Sequence, residues 1–526
     1  MMLNDFRKKR HAVNRIIVDQ MEISKKTNNE LFDRYIKSYR DQPRENTKQI
    51  ARELLQEYLY DSSLHGVKYL GKLRIKSTTL GKVFWTLIMI GSFLFLSWMF
   101  WKTWIRYSTN PTRTIIESFH SPVALVPFPA ITVCPLVVPP IARRLKVLKD
   151  LKLPPNMNNE TVMFLLKYGV LFTNNHITAG RRYLNDLQAL LNANDLTIVK
   201  FLQLMRPCED FFESCWWEGV ETNCSELFKF SYTFSGVCCS FNYLLQDDIR
   251  TGRTTQDSDL LKSMLFGPRA NLIAVIRKDL MNLTEDNKSI RFATNSVGLL
   301  IFPHHPLEYI GPIATREILQ INQELRVSVI PFTKREIGEY YYRNSHGKLV
   351  PHCADEKTNK LKYFPTYRYS NCFTVCSIDA IYETCDCLPY YYTPIAEKYS
   401  LRICNFQDFD CLSMIKRNFT CECVNPCWNV YYEVRSSSLL LNNSHDFNII
   451  PMYRKLTDTQ SVLRVFYNGD VFTQTNTIPI ADELYLLASI GGIFSLFLGA
   501  SFISAVEIFY FFELFFRSYY NSKKSK

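Results

Sequence analysis

The sequence lacks the patterns on which most enzymes depend. Its 18 glycines form no glycine-rich phosphate loop with adjacent acids, and no Gly-x-Ser-x-Gly nucleophile elbow is present. Its 9 histidines and its serines show no readable catalytic-triad spacing. The chain also has no fixed-period repeat and no long low-complexity stretch. These absences disfavour an enzyme, and we predict no catalytic residue and no cofactor.

Cysteine is missing from both ends of the chain. All 16 cysteines lie between Cys134 and Cys427. Oxidised cysteines are typical of extracellular regions, so this distribution indicates that the central part of the chain lies outside the cell. The Asn-x-Ser/Thr glycosylation acceptors share this region. They are Asn159, Asn223, Asn282, Asn287, Asn418 and Asn442.

Charge is missing from Val83–Trp101. As a helix this run is close to the thickness of a bilayer's hydrocarbon core, about 30 Å. It begins too far from the N-terminus to be a cleaved signal peptide. Trp98, Trp101 and Trp104 gather at one end of it, as interfacial anchors do. The sequence therefore predicts a first transmembrane helix over residues 83–105, in preference to a buried core helix.

A second apolar run, Leu484–Phe516, contains only two charged residues, Glu507 and Glu513. As one continuous helix it is roughly 50 Å long, which exceeds the thickness of the bilayer. A span of this length must tilt, project from the membrane or be broken. Gly499 is the plausible break point because glycine adopts non-helical dihedral angles readily.

Acidic residues are missing just before the first span, where basic residues gather. Those are Lys68, Lys72, Arg74, Lys76 and Lys82, and Arg517, Lys523, Lys524 and Lys526 follow the second span. By the positive-inside rule both termini are cytosolic, and the basic N-terminal region faces membrane lipid rather than nucleic acid. We therefore predict a multi-pass plasma-membrane protein. Its regions are a cytosolic 1–82, a span 83–105, an extracellular 106–483, a span 484–516 broken near 499–501, and a cytosolic tail 517–526.

The extracellular region mixes short β-like runs, such as Leu299–Phe302 and Leu325–Ile330, with polar helical stretches, which predicts an α+β domain. Its last ten cysteines, from Cys353 to Cys427, have nearly palindromic spacing. This pattern suits nested disulfides, although spacing alone does not fix the connectivity. A zinc site is disfavoured because there are no paired Cys-x2-Cys motifs and His352 is the only histidine in the block. We predict no metal.

Several motifs resemble the epithelial sodium channel, degenerin and acid-sensing ion channel family, in particular its insect pickpocket-like subfamily. The matching segments are Ser63–Gly66, Phe128–Pro135, Cys208–Cys224, Gly236–Asn242, the ten-cysteine block and Leu486–Ser501. The resemblance covers nearly the whole chain. It implies a homo- or heterotrimer of related subunits in which two transmembrane helices flank a disulfide-rich domain of palm, finger and thumb type. It also implies sodium conduction, block by amiloride-type compounds and gating by a ligand or other stimulus.

The resemblance also implies disulfide pairs and pore residues. The pairs are Cys134–Cys238, Cys208–Cys239, Cys215–Cys224, Cys353–Cys427, Cys372–Cys423, Cys376–Cys421, Cys385–Cys411 and Cys387–Cys404. Gly499, Ala500 and Ser501 would form the selectivity filter, as an extended stretch whose backbone carbonyls point inward, with Glu507 as an inner cation-attracting ring. Ala488 matches the degenerin gating position, Ser495 the blocker contact, and His65 and Gly66 a cytosolic gating motif.

Alternative explanations remain for these residues. Ala488, Gly491, Gly492, Ser495 and Gly499 share one helix face, which suits either a pore lining or close helix packing. The alternative explanation for Glu507 and Glu513 is a carboxylate at the membrane interface. A lipid-binding scavenger-receptor-like protein, a two-span ectoenzyme and an ATP-gated channel share the topology. A scavenger-receptor-like protein does not explain Gly-Ala-Ser and Glu507 within a span. An ectoenzyme would need phosphate-binding or catalytic motifs that this sequence lacks. ATP-gated channels are shorter and do not have this cysteine spacing.

Overall fold

The computed structural model describes residues 47–69, 79–109, 112–172, 181–281, 298–312, 314–338, 341–343, 347–355, 359–415, 421–441, 451–454, 456–457 and 460–524. The chain divides into two compact units. One is Thr112–Ile480, and the other combines Met1–Pro111 with Ala481–Lys526. The second unit therefore brings together segments from both ends of the sequence.

The strands are β1 Thr112–Pro122, β2 Ala130–Pro135, β3 Phe212–Trp217, β4 Val220–Thr222, β5 Phe228–Thr233, β6 Gly236–Phe241, β7 Leu272–Ile276, β8 Leu299–His304, β9 Glu317–Leu319, β10 Gln323–Glu336, β11 Tyr341–Arg343, β12 Leu349–Pro351, β13 Trp428–Leu440, β14 Ser461–Tyr467 and β15 Val471–Pro479. Both short runs predicted as strands lie in strands, β8 and β10.

The helices are α1 Thr47–Asp61, α2 Thr79–Ser108, α3 Ile141–Asp150, α4 Asn159–Phe172, α5 Arg181–Ala193, α6 Ile198–Met205, α7 Cys224–Leu227, α8 Leu245–Thr251, α9 Lys278–Met281, α10 Tyr369–Cys385, α11 Thr393–Tyr399, α12 Phe409–Met414, α13 Pro451–Arg454, α14 Glu483–Leu498 and α15 Phe502–Lys524. This mixture of helices and sheets agrees with the predicted α+β class.

Two larger sheets and a separate hairpin organise the unit Thr112–Ile480. The order in the first sheet is β1-β15-β10-β14-β7-β3-β4, with β13 also paired to β10. The central strand β10 runs antiparallel to β13 and parallel to β14 and β15. Its alternating side chains bury Leu325, Val327 and Val329 in the core beneath the sheet. The second sheet has the order β5-β6-β2-β8-β9, and β11 pairs with β12 alone.

A helical layer adds a second apolar core to this unit. Helices α4, α5 and α6 bury Leu165, Leu187 and Phe201 in one cluster with residues from the second sheet. Helix α6 begins after Thr197, whose side chain accepts a hydrogen bond from the Lys200 amide. This N-cap satisfies one of the amides that a helix start leaves without an intrahelical partner.

All sixteen cysteines form disulfides in the structure, in the same eight pairs that the resemblance implies. The last five are nested, with Cys353–Cys427 outermost and Cys387–Cys404 innermost. Helix α10 carries Cys372, Cys376 and Cys385 and is therefore linked repeatedly to the segment that follows it. Each such bond typically contributes about 2–4 kcal/mol to stability.

The structure places two of the six predicted glycosylation acceptors on the surface. Asn159 and Asn223 are exposed. The side-chain Oδ1 of Asn223 caps the short helix α7 by accepting a hydrogen bond from the Ser225 amide at 3.2 Å. Asn282, Asn287, Asn418 and Asn442 lie outside the described residues.

Two adjacent buried histidines lie at the end of β8. His304 Nδ1 donates to the His305 carbonyl, and its Nε2 accepts from the Thr132 hydroxyl, both at 2.9 Å. Burial lowers the pKa of His304 to about 4. Burial, with Arg368 and His304 nearby, holds the pKa of His305 well below its ordinary value. Both imidazoles are therefore neutral in the folded protein near neutral pH.

This arrangement predicts acid-sensitive stability. Between pH ~6.5 and pH ~4 the unfolded chain takes up protons that the folded chain does not bind. The free energy of unfolding should therefore decrease as the pH falls, by roughly 1.4 kcal/mol per pH unit for each histidine. His305→Asn should reduce this slope in unfolding temperatures of the detergent-solubilised chain measured from pH 7.5 to 5. The exposed His120→Asn is the matched control, and equal slopes for both variants would contradict the assignment.

Candidate ion-conducting site

The first apolar segment forms one helix, α2, of which Val83–Ser108 is long and apolar enough to cross a membrane. Its large side chains are mostly exposed in the single chain, including Phe93, Leu94 and Trp101. The core helix of a soluble domain would bury these groups, whereas a span exposes them to lipid.

The second apolar segment is broken rather than continuous. Helix α14 ends at Leu498 and α15 begins at Phe502, with a bend of 70° between them. Gly499 has φ of 61°, in the left-handed region that favours glycine. Its amide donates to the Ser495 carbonyl at 2.9 Å, and the Ala500 amide donates to the Phe494 carbonyl at 3.3 Å. The break is thus a tight glycine-capped turn, not the extended stretch that we expected.

Backbone carbonyls at this break differ in their partners. The Leu498 carbonyl accepts a hydrogen bond from the His65 amide at 2.8 Å. Within the described part of the chain, the carbonyls of Gly499 and Ala500 accept none. An oxygen without a hydrogen-bond partner in a membrane span needs water, an ion or another chain. The break therefore offers two hard oxygen atoms of the type that sodium ions prefer.

Residues 62–69, here called the strap, fold against the break from the other end of the sequence. The His65 imidazole lies so close to Gly499 that a Cβ on Gly499 would overlap it. Gly66 has φ of 85°, and a Cβ there would come within 2.8 Å of the Met89 sulfur in α2. The two predicted cytosolic gating residues and the predicted filter residue thus occupy one site, although 434 positions separate His65 from Gly499 in the sequence.

Glu507 is half-buried and contacts the strap. Its Oε2 accepts a hydrogen bond from the Ser63 amide at 3.1 Å. Beside it, the Ser63 and Ser504 hydroxyl oxygens are 2.6 Å apart. Ser504 is buried, and its Oγ also accepts from the Ser501 amide at 3.1 Å, where α15 begins. The exposed Ser501 therefore shapes the start of α15 both through its backbone amide and through its side-chain oxygen, which accepts from the Ser504 amide at 3.4 Å.

Aromatic contacts hold the strap in place on both sides. Tyr58, in the helix α1 that precedes the strap, meets Phe511 of α15 edge to face at 5.1 Å between ring centroids. Tyr69, at the end of the strap, stacks on Trp85 of α2 at 4.3 Å. The strap consequently connects helix α2 to helix α15.

The small face of α14 does not pack on helix α2. Helices α2 and α14 meet through aromatic side chains, with Phe95 against Phe497 at 5.1 Å and Phe100 against Phe494 at 6.5 Å. The small residues are exposed instead. They are Ala488, Gly491, Gly492 and Ser495. A Cβ added to either glycine would meet nothing within 4 Å. Close packing of these small residues against helix α2 is therefore not the arrangement seen.

Glu513 lies in a different environment from Glu507. It is exposed, and its carboxylate pairs with Arg517 one helical turn later, at 2.5 Å. This pair is typical of a solvated or interfacial helix surface. The structure thus favours the interfacial explanation for Glu513.

Sequence reasoning did not identify Ser504, although it lies at the centre of the site. Its only local signal is a hydroxyl three residues after Ser501 in an otherwise apolar segment. The contact with Ser63 joins residues 441 positions apart, which no local pattern reveals.

Residues 58–511 match the family model described as amiloride-sensitive sodium channel. The sodium channel protein Nach of Drosophila melanogaster is 26% identical over 496 residues, covering 89% of this chain and 88% of that protein. Pickpocket protein 28 of Drosophila melanogaster is 23% identical, with 86% and 77% covered. The bile acid-sensitive ion channel of Homo sapiens is 21% identical, with 86% and 84% covered. The chain belongs to the amiloride-sensitive sodium channel family, whose members are ion channels and not enzymes.

Proposed function

We propose that this chain is a subunit of an amiloride-sensitive channel that conducts monovalent cations, mainly sodium, across the plasma membrane. The observation that carries this proposal is the break at Gly499. An apolar segment of spanning length bends by 70° there and leaves the Gly499 and Ala500 carbonyls without hydrogen-bond partners in the described chain. Oxygen ligands of this kind can replace part of the hydration shell of a sodium ion.

A trimer, homomeric or with related subunits, would place this break around a threefold axis. Each copy would contribute its two carbonyls to rings of oxygen, with Ser501 next to them. The exposed small face of α14 supports this arrangement because small side chains leave space for ions at the axis. Glu507 follows on the inner side, where three carboxylates would concentrate cations.

The proposed topology places both termini in the cytosol and Thr112–Ile480 outside the cell. The support is the disulfide content of that unit and the distribution of basic residues next to the spans. The strap then contacts the break from the cytosolic side. Accessibility to membrane-impermeant biotin reagents tests this directly: a tag inserted after Asn159 should be labelled on intact cells, and a tag at either terminus should not.

Expression in oocytes tests the conduction proposal. We expect an inward current in sodium solution that falls when sodium is replaced by a large organic cation and when amiloride is added. Surface biotinylation controls for delivery. A sodium current that amiloride leaves unchanged would contradict the proposed amiloride sensitivity. A current carried by anions would contradict the proposed cation conduction.

Ser495 gives a prediction about block. It is exposed on the small face of α14, one helical turn before Gly499, so a blocker bound there would lie at the outer side of the break. Ser495→Leu should raise the amiloride concentration for half-block by about tenfold, which is a loss of about 1.4 kcal/mol of binding free energy. Leu496→Val, at the neighbouring exposed position off the small face, is the matched control. An unchanged dose–response curve for Ser495→Leu would show that the blocker binds elsewhere.

A further inference from the structure

The contact between the strap and α15 is more elaborate than an ion-attracting ring requires. A carboxylate that only attracts cations would turn both oxygens to the ion path. Here one Glu507 oxygen accepts from the Ser63 backbone, and the Ser63 side chain meets Ser504 at 2.6 Å. The same Ser504 oxygen accepts from the amide of Ser501, the last residue of the break. One buried hydroxyl therefore connects the strap with the start of α15.

We propose that Ser63 and Ser504 form a gating latch, in which Ser504 is a positioning residue that ties the cytosolic N-terminal segment to the filter break. This inference rests on the proposed channel function and extends it to a regulatory contact. A displacement of the strap removes a partner from Ser504, which also positions the amide that begins α15. The latch therefore makes the geometry of the break depend on where the N-terminal segment lies.

The surrounding contacts give the latch a mechanical connection. Helix α1 leads into the strap and packs on α15 through Tyr58 and Phe511. The strap's far end stacks on α2 through Tyr69 and Trp85. His65 lies between these anchors, with its amide on the Leu498 carbonyl and its ring against Gly499. A movement of α1 relative to α2 would therefore displace the strap residues that contact the break.

No charged group other than Glu507 enters the latch in the described chain. The contacts of Ser63 are with Ser504 and Glu507, and those of Ser504 are with Ser63 and Ser501. The latch is thus a hydroxyl contact supported by one backbone-to-carboxylate bond. Its strength should respond to loss of either hydroxyl, and loss of the second should add little once the first is gone.

A paired-cysteine variant tests the latch without breaking the fold. All sixteen native cysteines are in disulfides, so cysteines placed at positions 63 and 504 are the only thiols in the variant. The Ser63 and Ser504 hydroxyl oxygens that the two thiols replace are 2.6 Å apart, close to the S–S bond length of about 2 Å, so a disulfide can form. Copper phenanthroline applied to the cytosolic face of an excised patch would oxidise the two thiols, removing two electrons and two protons. The matched control is Ser62→Cys with Ser504→Cys, because no contact joins Ser62 to Ser504.

We expect oxidation of Ser63→Cys/Ser504→Cys to lower the rate of open–closed transitions by about tenfold or more, with recovery in reductant, whereas the control pair keeps its rate. Mass spectrometry of the alkylated protein should find the two peptides linked. Linked peptides with an unchanged transition rate would overturn the gating role, and unlinked but alkylated cysteines would overturn the contact. If the peptides are linked but even the wild-type chain passes no sodium current with any partner subunit, the channel proposal fails and the gating role with it.

Alanine variants provide a second readout. Ser63→Ala and Ser504→Ala should each change the open probability by about threefold or more in the same direction, and the double variant should change it no further. Ser108→Ala is the control, because this exposed serine lies outside the strap and its hydroxyl donates to the Ile105 carbonyl of its own helix, α2. Effects that add fully in the double variant would mean that the two hydroxyls act independently, which contradicts the latch.

Discussion

Gly499→Ala should reduce the sodium current by about tenfold or more at equal surface expression, and should lower the preference for sodium over potassium. Two physical costs act together. The backbone at residue 499 has φ of 61°, which costs a residue with a Cβ about 1–2 kcal/mol. The new methyl group would also overlap the His65 imidazole, so either the strap or the break must move.

A double variant separates these two costs. His65→Ala in the Gly499→Ala background removes the overlap but leaves the backbone cost, so part of the current should return. Gly91→Ala in the first span is the matched control, because a Cβ there meets nothing within 4 Å and should leave the current within about twofold. The measurement is current per channel at the surface, together with the reversal potential. Unchanged conduction and selectivity in Gly499→Ala would show that this turn is not the filter.

Ala488→Val should raise the resting current by about tenfold. Ala488 is exposed on the small face of α14, roughly 16 Å along the helix from Gly499. If three such faces approach one another when the channel closes, a larger side chain destabilises the closed state in every subunit at once. A tenfold shift of the closed–open equilibrium then needs the closed state to be destabilised by only about 0.5 kcal/mol in each of three subunits. This is a modest cost for two added carbon atoms at a crowded axis.

The control for this prediction is Leu487→Val, at the adjacent exposed position outside the small face. Both variants carry valine, so a difference between them reports position rather than residue type. Resting current is compared with surface labelling in the same cells. An Ala488→Val channel that stays closed at normal surface density would show that Ala488 does not occupy the degenerin gating position.

The sequence predicted features that depend on single residues or on local composition. Gly499 is predicted as the break because the apolar segment is too long for one span, and glycine adopts non-helical dihedral angles at a lower conformational energy than other residues. The α+β class followed from the alternation of short apolar runs with polar helical stretches. The eight disulfide pairs required the family resemblance, since the spacing of ten neighbouring cysteines permits many connectivities.

Contacts between distant segments could not be predicted in this way. Nothing near Ser504 distinguishes it from other hydroxyl residues in membrane helices, and its partner Ser63 lies at the opposite end of the chain. The neighbouring positions of β1 and β15 in one sheet likewise join the two ends of the central unit. The form of the break also differed from expectation, because Gly499 closes a tight cap on α14 instead of beginning an extended stretch. Such details depend on tertiary hydrogen bonds that local propensity does not determine.

The reversal potential of the Ala488→Val channel tests the central claim most directly. Replacing external sodium with potassium in excised patches or oocytes should shift the reversal potential to more negative voltages, with sodium the more permeant ion. Adding Gly499→Ala to the same channel should make this shift smaller. A reversal potential that follows chloride instead, or one that is equal for sodium and potassium in both variants, would contradict a sodium-selective pore formed at Gly499–Ser501.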